Sequence, residues 1–375
     1  MTSVTFETAT IADAIRRAAR IAPGKAGHAF DKAAGISMEI TPDESVQCLI
    51  RATNIEAFHT EIIATVAAEG DPVRWRLPSA LMANIVGSLP PKSGSLVKFT
   101  QEDRKIRITT GKMRASMNLM DNENFPDWEM FDGSKLTMVG GLGGRVGMVE
   151  WAASGDNNPP FSGVYLDGEW AVATDRYKLA RVPCKIANLE KPVIIPAGIL
   201  GQALKTMGDT GLMATANQLL LAPDDYTQLR LAIYDAKYPP VAMIFGTEYE
   251  ATTEVNKTEL LDKIQRANQY AGAERNPLLR TFWGKGEIAV MMENAEVGLI
   301  GDVVECPGFL DHARIEIKFT PKHLTDALNN APDSKVTIHY SYSEDGIKQP
   351  TVRIDGGAGY NAWVMKRQEA RPTTE

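Results

Sequence analysis

The sequence predicts an α+β protein built from three repeated domains, each with two helices packed on antiparallel sheet. Three observations carry that expectation. A strand–proline–helix segment occurs three times, about 120 residues apart. Alternating strand pairs follow the copies, and further prolines interrupt the pattern between them.

The copies are Trp75–Gly87, Val193–Lys205 and Ile317–Asn329. Each runs from a β-branched or aromatic strand end through Pro78, Pro196 or Pro321 into a helix. Proline suits a first helical turn because its missing N–H has no partner there anyway. Apolar residues fall three and seven places beyond each proline: Leu81 and Ile85, Ile199 and Ala203, Leu324 and Leu328. That spacing predicts one buried helix face, used three times.

The surroundings repeat as well. Leu96–Thr100 with Lys105–Thr109, and Val336–Tyr340 with Thr351–Ile354, alternate as strand pairs. Gly163–Leu166, Trp170–Asp175 and Lys178–Val182 form the unit ahead of the middle proline. An earlier amphipathic helix, Ile11–Ala22, turns Ile11, Ile15, Ala18 and Ala22 inward. Its counterpart in the third repeat opens on a capping box, Asn256 to Glu259, and turns Leu260, Ile264, Ala267 and Ala271 inward. A weaker counterpart, Val146–Ala153, opens the middle repeat. Prolines at Phe125–Trp128 and Tyr238–Pro240 place the boundaries, giving domains 1–130, 131–246 and 247–375, the last with a C-terminal tail.

Composition narrows the function. Hydrophobic residues are 44% and charged residues 23%, as in soluble globular proteins. No apolar run is long enough to span a membrane, and the first residues have neither the basic nor the apolar region of a signal peptide. Three widely spaced cysteines, Cys48, Cys184 and Cys306, make neither a disulfide framework nor a metal cluster, so a reducing cytoplasm is expected. A net charge of −7 excludes a wholly basic nucleic-acid binder but permits a local basic face.

Catalytic signatures are missing. Val139–Gly147 is glycine-rich but fits neither a P-loop nor a dinucleotide fingerprint, and reads as the lead-in to a helix. The five histidines never take metal-ligand spacing. Asp224 and Asp225 follow Pro223 and read as a turn. The chain is therefore expected to be a binding or structural protein without cofactor or metal. Three readings stay open on the residues alone: a nucleic-acid-binding protein, a ring- or shell-forming structural protein, and an enzyme of carbohydrates or nucleotides with an unusual site.

Charge placement favours the first. Arg16, Arg17 and Arg20 lie opposite the apolar stripe of the first helix, with one aspartate, Asp13, and Lys25 follows in the next loop. Lys263 and Arg266 sit on the corresponding helix of the third repeat, with Arg275 beyond it, and Lys205 ends the middle copy. Helix-borne bases in an acidic chain suit phosphate contact on one side and repulsion elsewhere.

Taken in order, these features resemble the bacterial DNA polymerase III β sliding clamp family, from Val4 to about Arg367. The most specific piece is Gly163–Leu166 with Val172–Ala180, similar to the family's Gly-hydrophobic…Ala-Thr-Asp-Gly-His-Arg-Leu-Ala. Asn122–Trp128, Lys237–Pro240 and Ala362–Met365 are similar too. The resemblance implies three clamp domains that close, as a head-to-tail homodimer, into a ring around duplex DNA. It implies a non-catalytic processivity factor, opened by a clamp loader and tethering the replicative polymerase. Divergence and the tail Gln368–Glu375 suggest a phage or other outlying member, acting in a bacterial or host cytoplasm.

The resemblance also assigns residues. The partner-peptide pocket takes Phe161, Thr174, Arg176, Tyr177, Leu179, Pro239, Ile244, Trp363 and Met365, with His323 at its mouth. The DNA-facing set is Arg16, Arg17, Arg20, Lys25, Lys205, Lys263, Arg266 and Arg275. The dimer seam takes Ala115 and Met117 on one side, Gln269 and Tyr270 on the other. Three departures are visible: Arg176-Tyr177 stands for Gly-His, basic residues are missing after Tyr238-Pro-Pro, and Ala197-Gly198 replaces a basic pair.

Overall fold

The computed structural model describes residues 1–22, 33–42, 47–89, 94–204, 208–306, 313–342 and 350–367. Lys25, Lys205 and the tail Gln368–Glu375 lie outside the described residues. Seven α-helices are present among those described: α1 Thr8–Ile21, α2 Ser79–Gly87, α3 Leu142–Val149, α4 Ala197–Leu204, α5 Ala242–Phe245, α6 Lys257–Asn268 and α7 Pro321–Asn329. The chain forms two compact units, and the middle repeat contributes to both.

The first unit comprises Met1–Gly143, Ala187–Glu190 and Gly198–Ile233. Its five-stranded sheet runs Ala67–Glu69, Ser3–Glu7, Leu96–Glu102, Lys105–Thr110, Met113–Asn118. Its eight-stranded sheet runs Thr137–Val139, Thr210–Ala214, Gln218–Ala222, Thr227–Ala232, Ala57–Ala64, Gln47–Thr53, Ile36–Thr41, Val73–Leu77. The pairing of Thr227–Ala232 with Ala57–Ala64 joins strands of the first and middle repeats into one sheet. Helix α1 buries Ile11, Ala14, Ile15, Ala18 and Ile21 against α2 and this sheet. Asp224 caps the expected turn, accepting from the backbone N–H groups of Tyr226 and Thr227.

The second unit comprises Gly144–Ile186, Lys191–Ala197 and Tyr234–Glu375. Its eight-stranded sheet runs Val193–Pro196, Gly163–Leu166, Trp170–Thr174, Lys178–Pro183, Asn361–Met365, Thr351–Asp355, Lys335–Tyr340, Ala251–Asn256. A four-stranded sheet runs Gly298–Glu305, Glu287–Asn294, Leu279–Gly284, Ile315–Phe319. Helix α6 starts as expected: the Asn256 side chain accepts from the Glu259 N–H, and Leu260, Ile264 and Ala267 are buried. The glycine of the Gly163–Leu166 motif is sterically required, since a Cβ there would collide with the Ile194 side chain.

The shared helix register needs correction. In α7 Leu324 and Leu328 are buried, as expected. In α2 the buried positions are instead Met82 and Val86, and Leu81 is 46% exposed. In α4 Leu200 and Leu204 join Ala203 in the core, and Ile199 is only half-buried. The cause is where each helix begins. Pro321 is itself the first helical residue, whereas Pro78 is the N-cap and Pro196 ends a strand. Starting one residue later turns the buried stripe by about 100°. Helix α3 also begins four residues earlier than expected at Val146, because the glycine-rich stretch supplies its first turn.

Candidate functional site

Strand register builds the site, and it does so inside the second unit. Thr174 stands opposite Leu179, Leu179 opposite Trp363, and Trp363 opposite Arg353. Side chains at paired positions share a face, so residues almost two hundred positions apart form one row. Met365 pairs with Thr351 one step along the same face.

Over this row lies the segment that closes the middle repeat. Tyr238 stacks on Tyr165 with ring centroids 4.6 Å apart and planes 13° from parallel. Its hydroxyl donates to the Val172 carbonyl at 3.4 Å, and burial raises its pKa. Pro239, Pro240, Val241, Ile244 and Thr247 then form one wall of a cleft whose floor is Thr174, Leu179, Trp363 and Met365. Phe161, Arg176, Tyr177 and Lys178 form the other wall. The cavity holds about 410 Å³, the size of a site for a few side chains.

The structure thus brings nine of the ten pocket residues of the sequence reading round one cleft. His323 stays outside the lining, its ring 6.5 Å from that of Tyr177. Burial lowers the His323 pKa, with Asp175 and Asp326 opposing the shift. The reading missed Lys178, Pro240, Val241, Thr247, Pro350 and Thr351. Val241 and Thr247 sit three residues either side of Ile244, a spacing the sequence did display. Thr351 reaches the site only through its register with Met365.

The turn Thr174–Lys178 is fixed from below. Thr174 Oγ1 accepts from the Arg176 N–H at 3.1 Å and donates to the Lys178 carbonyl at 2.7 Å. Asp175 Oδ1 accepts from the N–H groups of Tyr177 and Lys178, both at 2.9 Å. This geometry sets Arg176 at φ +82°, a conformation glycine adopts freely and side chains disfavour. Lys178 Nζ donates to the Trp151 carbonyl at 2.6 Å and lies 3.7 Å from Asp175; burial lowers its pKa.

The basic helix faces are less uniform than the sequence suggests. Arg16 and Arg20 are exposed, Arg16 pairing with Asp13 on its own helix. Arg17 lies at the edge of a wide buried stripe and donates from Nε to Glu61 at 3.0 Å and from Nη2 to its other oxygen. Burial would raise the Glu61 pKa, but the nearby His59 ring, 3.3 Å away, and the hydrogen bonds from Arg17 hold it down at about 2. On α6, Lys263 and Arg266 share Asp302 at 3.0 and 2.7 Å, and Arg275 is exposed beyond the helix. At the expected seam, Ala115 is half-buried and Met117 is 4% exposed, while Arg114, Ser116 and Asn118 of the same edge strand are exposed. Gln269 is exposed and Tyr270 half-buried in the short turn after α6.

No family model matches the chain. Among curated proteins it is similar to the β sliding clamp of Streptococcus pneumoniae, 23% identical over 280 residues, 70% of this chain and 72% of that one. It is also similar to that of Bacillus subtilis, 21% identical over 294 residues, 74% and 76% of the two chains. Among solved structures, the DNA polymerase III β subunit of Thermotoga maritima superposes with a TM-score of 0.84 at 19% identity, covering 99% of this chain and 100% of that one. That of Pseudomonas aeruginosa gives 0.79 at 17% identity, covering 98% and 100%. The chain is thus similar in sequence to β sliding clamps over 70% or more of its length and shares the fold of DNA polymerase III β subunits.

One turn of the cleft has an unusual backbone for the residue it carries. Arg176 keeps the left-handed backbone of a glycine position and carries a long cationic side chain there. Its guanidinium lies 4.9 Å from the Phe161 ring centroid, on the wall of the cleft.

Proposed function

We propose that this clamp is a non-catalytic processivity factor that encircles duplex DNA without reading sequence and tethers the replicative polymerase through the cleft. The clamp fold over almost the entire chain carries the reading. A closed ring holds DNA topologically, so inward bases need only attract phosphates weakly to permit sliding. Arg16, Arg20 and Arg275 are exposed bases suited to that task, Arg16 beside Asp13 on its own helix, and Arg17, Lys263 and Arg266 are bases engaged by carboxylates of other elements. Lys25 and Lys205 complete the proposed set.

The ring forms from two chains joined head to tail, each divided into clamp domains 1–130, 131–246 and 247–375, and a clamp loader opens it. The strand Met113–Asn118 is an edge of one sheet and Gly298–Glu305 an edge of another. Both expose backbone groups that pairing across the seam satisfies, flanked by Ala115, Met117, Gln269 and Tyr270. No helix among the described residues is long and apolar enough to cross a membrane. The proposed site of action is the cytoplasm of a bacterium, or of a host cell for a phage-encoded clamp.

The test combines mass and topology. Sedimentation at micromolar concentration is expected near twice the 40.9 kDa chain mass. Protein loaded on nicked circular DNA is expected to stay until the circle is cut, and then to slide off. A monomer, or a complex that survives linearisation at a preferred sequence, overturns the reading; a much larger assembly points to a shell protein.

A further inference from the structure

We propose that the cleft selects partner segments carrying an acidic side chain beside their apolar anchors, and that Arg176 recognises that carboxylate. The inference rests on the cleft being the partner site, and it concerns which peptides the cleft takes.

The first support is conformational. A non-glycine residue at φ +82° occupies a backbone conformation that its side chain disfavours. The turn is set by Thr174 and Asp175, whose hydrogen bonds engage backbone groups alone and hold whichever residue follows. A glycine would satisfy the same turn without strain. The arginine is therefore a disfavoured choice for the backbone, and its side chain is what the position gains.

The second support is electrostatic. Apart from Lys178, the rest of the lining is apolar or hydroxylic, with Thr174, Thr247 and Thr351 among Leu179, Ile244, Trp363 and Met365. The neighbouring carboxylates have their own cations: Asp175 faces Lys178 at 3.7 Å and Asp326 faces Lys322 at 2.8 Å. Lys178 is further occupied by the Trp151 carbonyl. Arg176 is exposed and has no carboxylate partner among the described residues, so it is the uncompensated charge on this wall. Stacking on Phe161 at 4.9 Å restrains its plane and leaves N–H groups at the guanidinium edge for an acceptor. A planar, pre-oriented guanidinium beside an apolar floor matches a carboxylate next to large apolar residues.

The experiment titrates fluorescent hexapeptides with two large apolar anchors against the full-length protein. One peptide carries a flanking glutamate, a second carries glutamine in its place, and both have amidated C-termini. A third has the glutamine and a free C-terminal carboxylate. The glutamate peptide is expected to bind wild type about five- to tenfold more tightly than the glutamine peptide, the scale of one charge-assisted hydrogen bond. Arg176→Gln and Arg176→Gly should bind the two equally, and Arg176→Lys should keep part of the preference. High salt should remove the preference and leave the anchor-dependent affinity.

Equal binding of the glutamate and glutamine peptides to wild type, with both weakened by Met365→Ala, overturns the role of Arg176 and leaves the cleft as the partner site. Preference for the free C-terminus alone overturns the acidic side chain as the ligand. Failure of every peptide to bind wild type overturns the cleft reading and this inference with it.

Discussion

The guanidinium carbon of Arg181 lies 4.3 Å from the ring centroid of Phe245, beneath the segment that walls the cleft. The same carbon is 4.4 Å from the Trp170 ring and 5.4 Å from that of Trp363, and Arg181 Nε donates to Asn361 Oδ1 at 2.8 Å. One cation thus ties the connecting segment to a floor residue of the site. The first unit uses the same device: Trp128 meets Phe58 edge-on at 5.1 Å, donates to Thr60 and lies near Arg51. In each unit the aromatic residues of a connecting segment are held on a sheet face by arginine.

Removing that tie should loosen the wall without emptying the floor. Arg181→Ala is expected to cost about 1–2 kcal/mol of stability, the range of a desolvated cation–π contact, and to speed peptide release. Arg181→Lys should recover only part, because it lacks the planar donor to Asn361. Urea unfolding and stopped-flow displacement measure the two effects; unchanged release in the alanine variant would show that the wall holds itself.

Met365 lines an edge of the cleft floor. Met365→Ala should weaken polymerase-peptide binding by about tenfold, the effect of losing ~1.4 kcal/mol, with ring mass unaltered. Equal affinity in a fluorescence titration would mean that the partner binds elsewhere.

The DNA prediction follows from which arginines are exposed: Arg16, paired only with Asp13 on its own helix, and Arg20. Arg16→Glu with Arg20→Glu should reduce retention on nicked circles and flatten its salt dependence, with folding preserved. Arg17→Glu is a poorer probe, since it sets a second carboxylate against Glu61 in a half-buried place. Retention assays paired with circular dichroism separate the cases; undiminished retention in the Arg16, Arg20 variant would remove α1 from the DNA path.

Glu61 makes stability depend on acid. Its folded pKa of about 2 is below the ordinary 4.5. The resulting stability is fully present above pH 4.5 and is lost as pH falls towards 2. Glu61→Gln should cost on the order of 3 kcal/mol at neutral pH, and the gap from wild type should close on acidification. Parallel denaturation curves at pH 7 and pH 3 measure it; a gap that stays constant would mean that Glu61 contributes through packing alone.

Much of the architecture was legible because local patterns are local physics. Two-residue alternation marked the strands of the repeats, and Asn256 with Glu259 marked the start of α6, since capping needs only neighbours in the chain. The resemblance that the order of the motifs carries, from Asn122–Trp128 to Ala362–Met365, implied ten pocket residues, and nine of them line one cleft. What the sequence did not determine was phase and partnership. Pro78, Pro196 and Pro321 look alike in the chain, yet only Pro321 counts as a helical residue, and that single step decided whether Leu81 or Met82 is buried. Arg17 reads as a solvent-facing base from its spacing. Only the sheet behind α1 brings Glu61 to it, because a salt bridge 44 residues apart depends on how elements pack. Likewise Thr174, Leu179 and Trp363 become one floor through strand register, a long-range pairing that no local periodicity encodes.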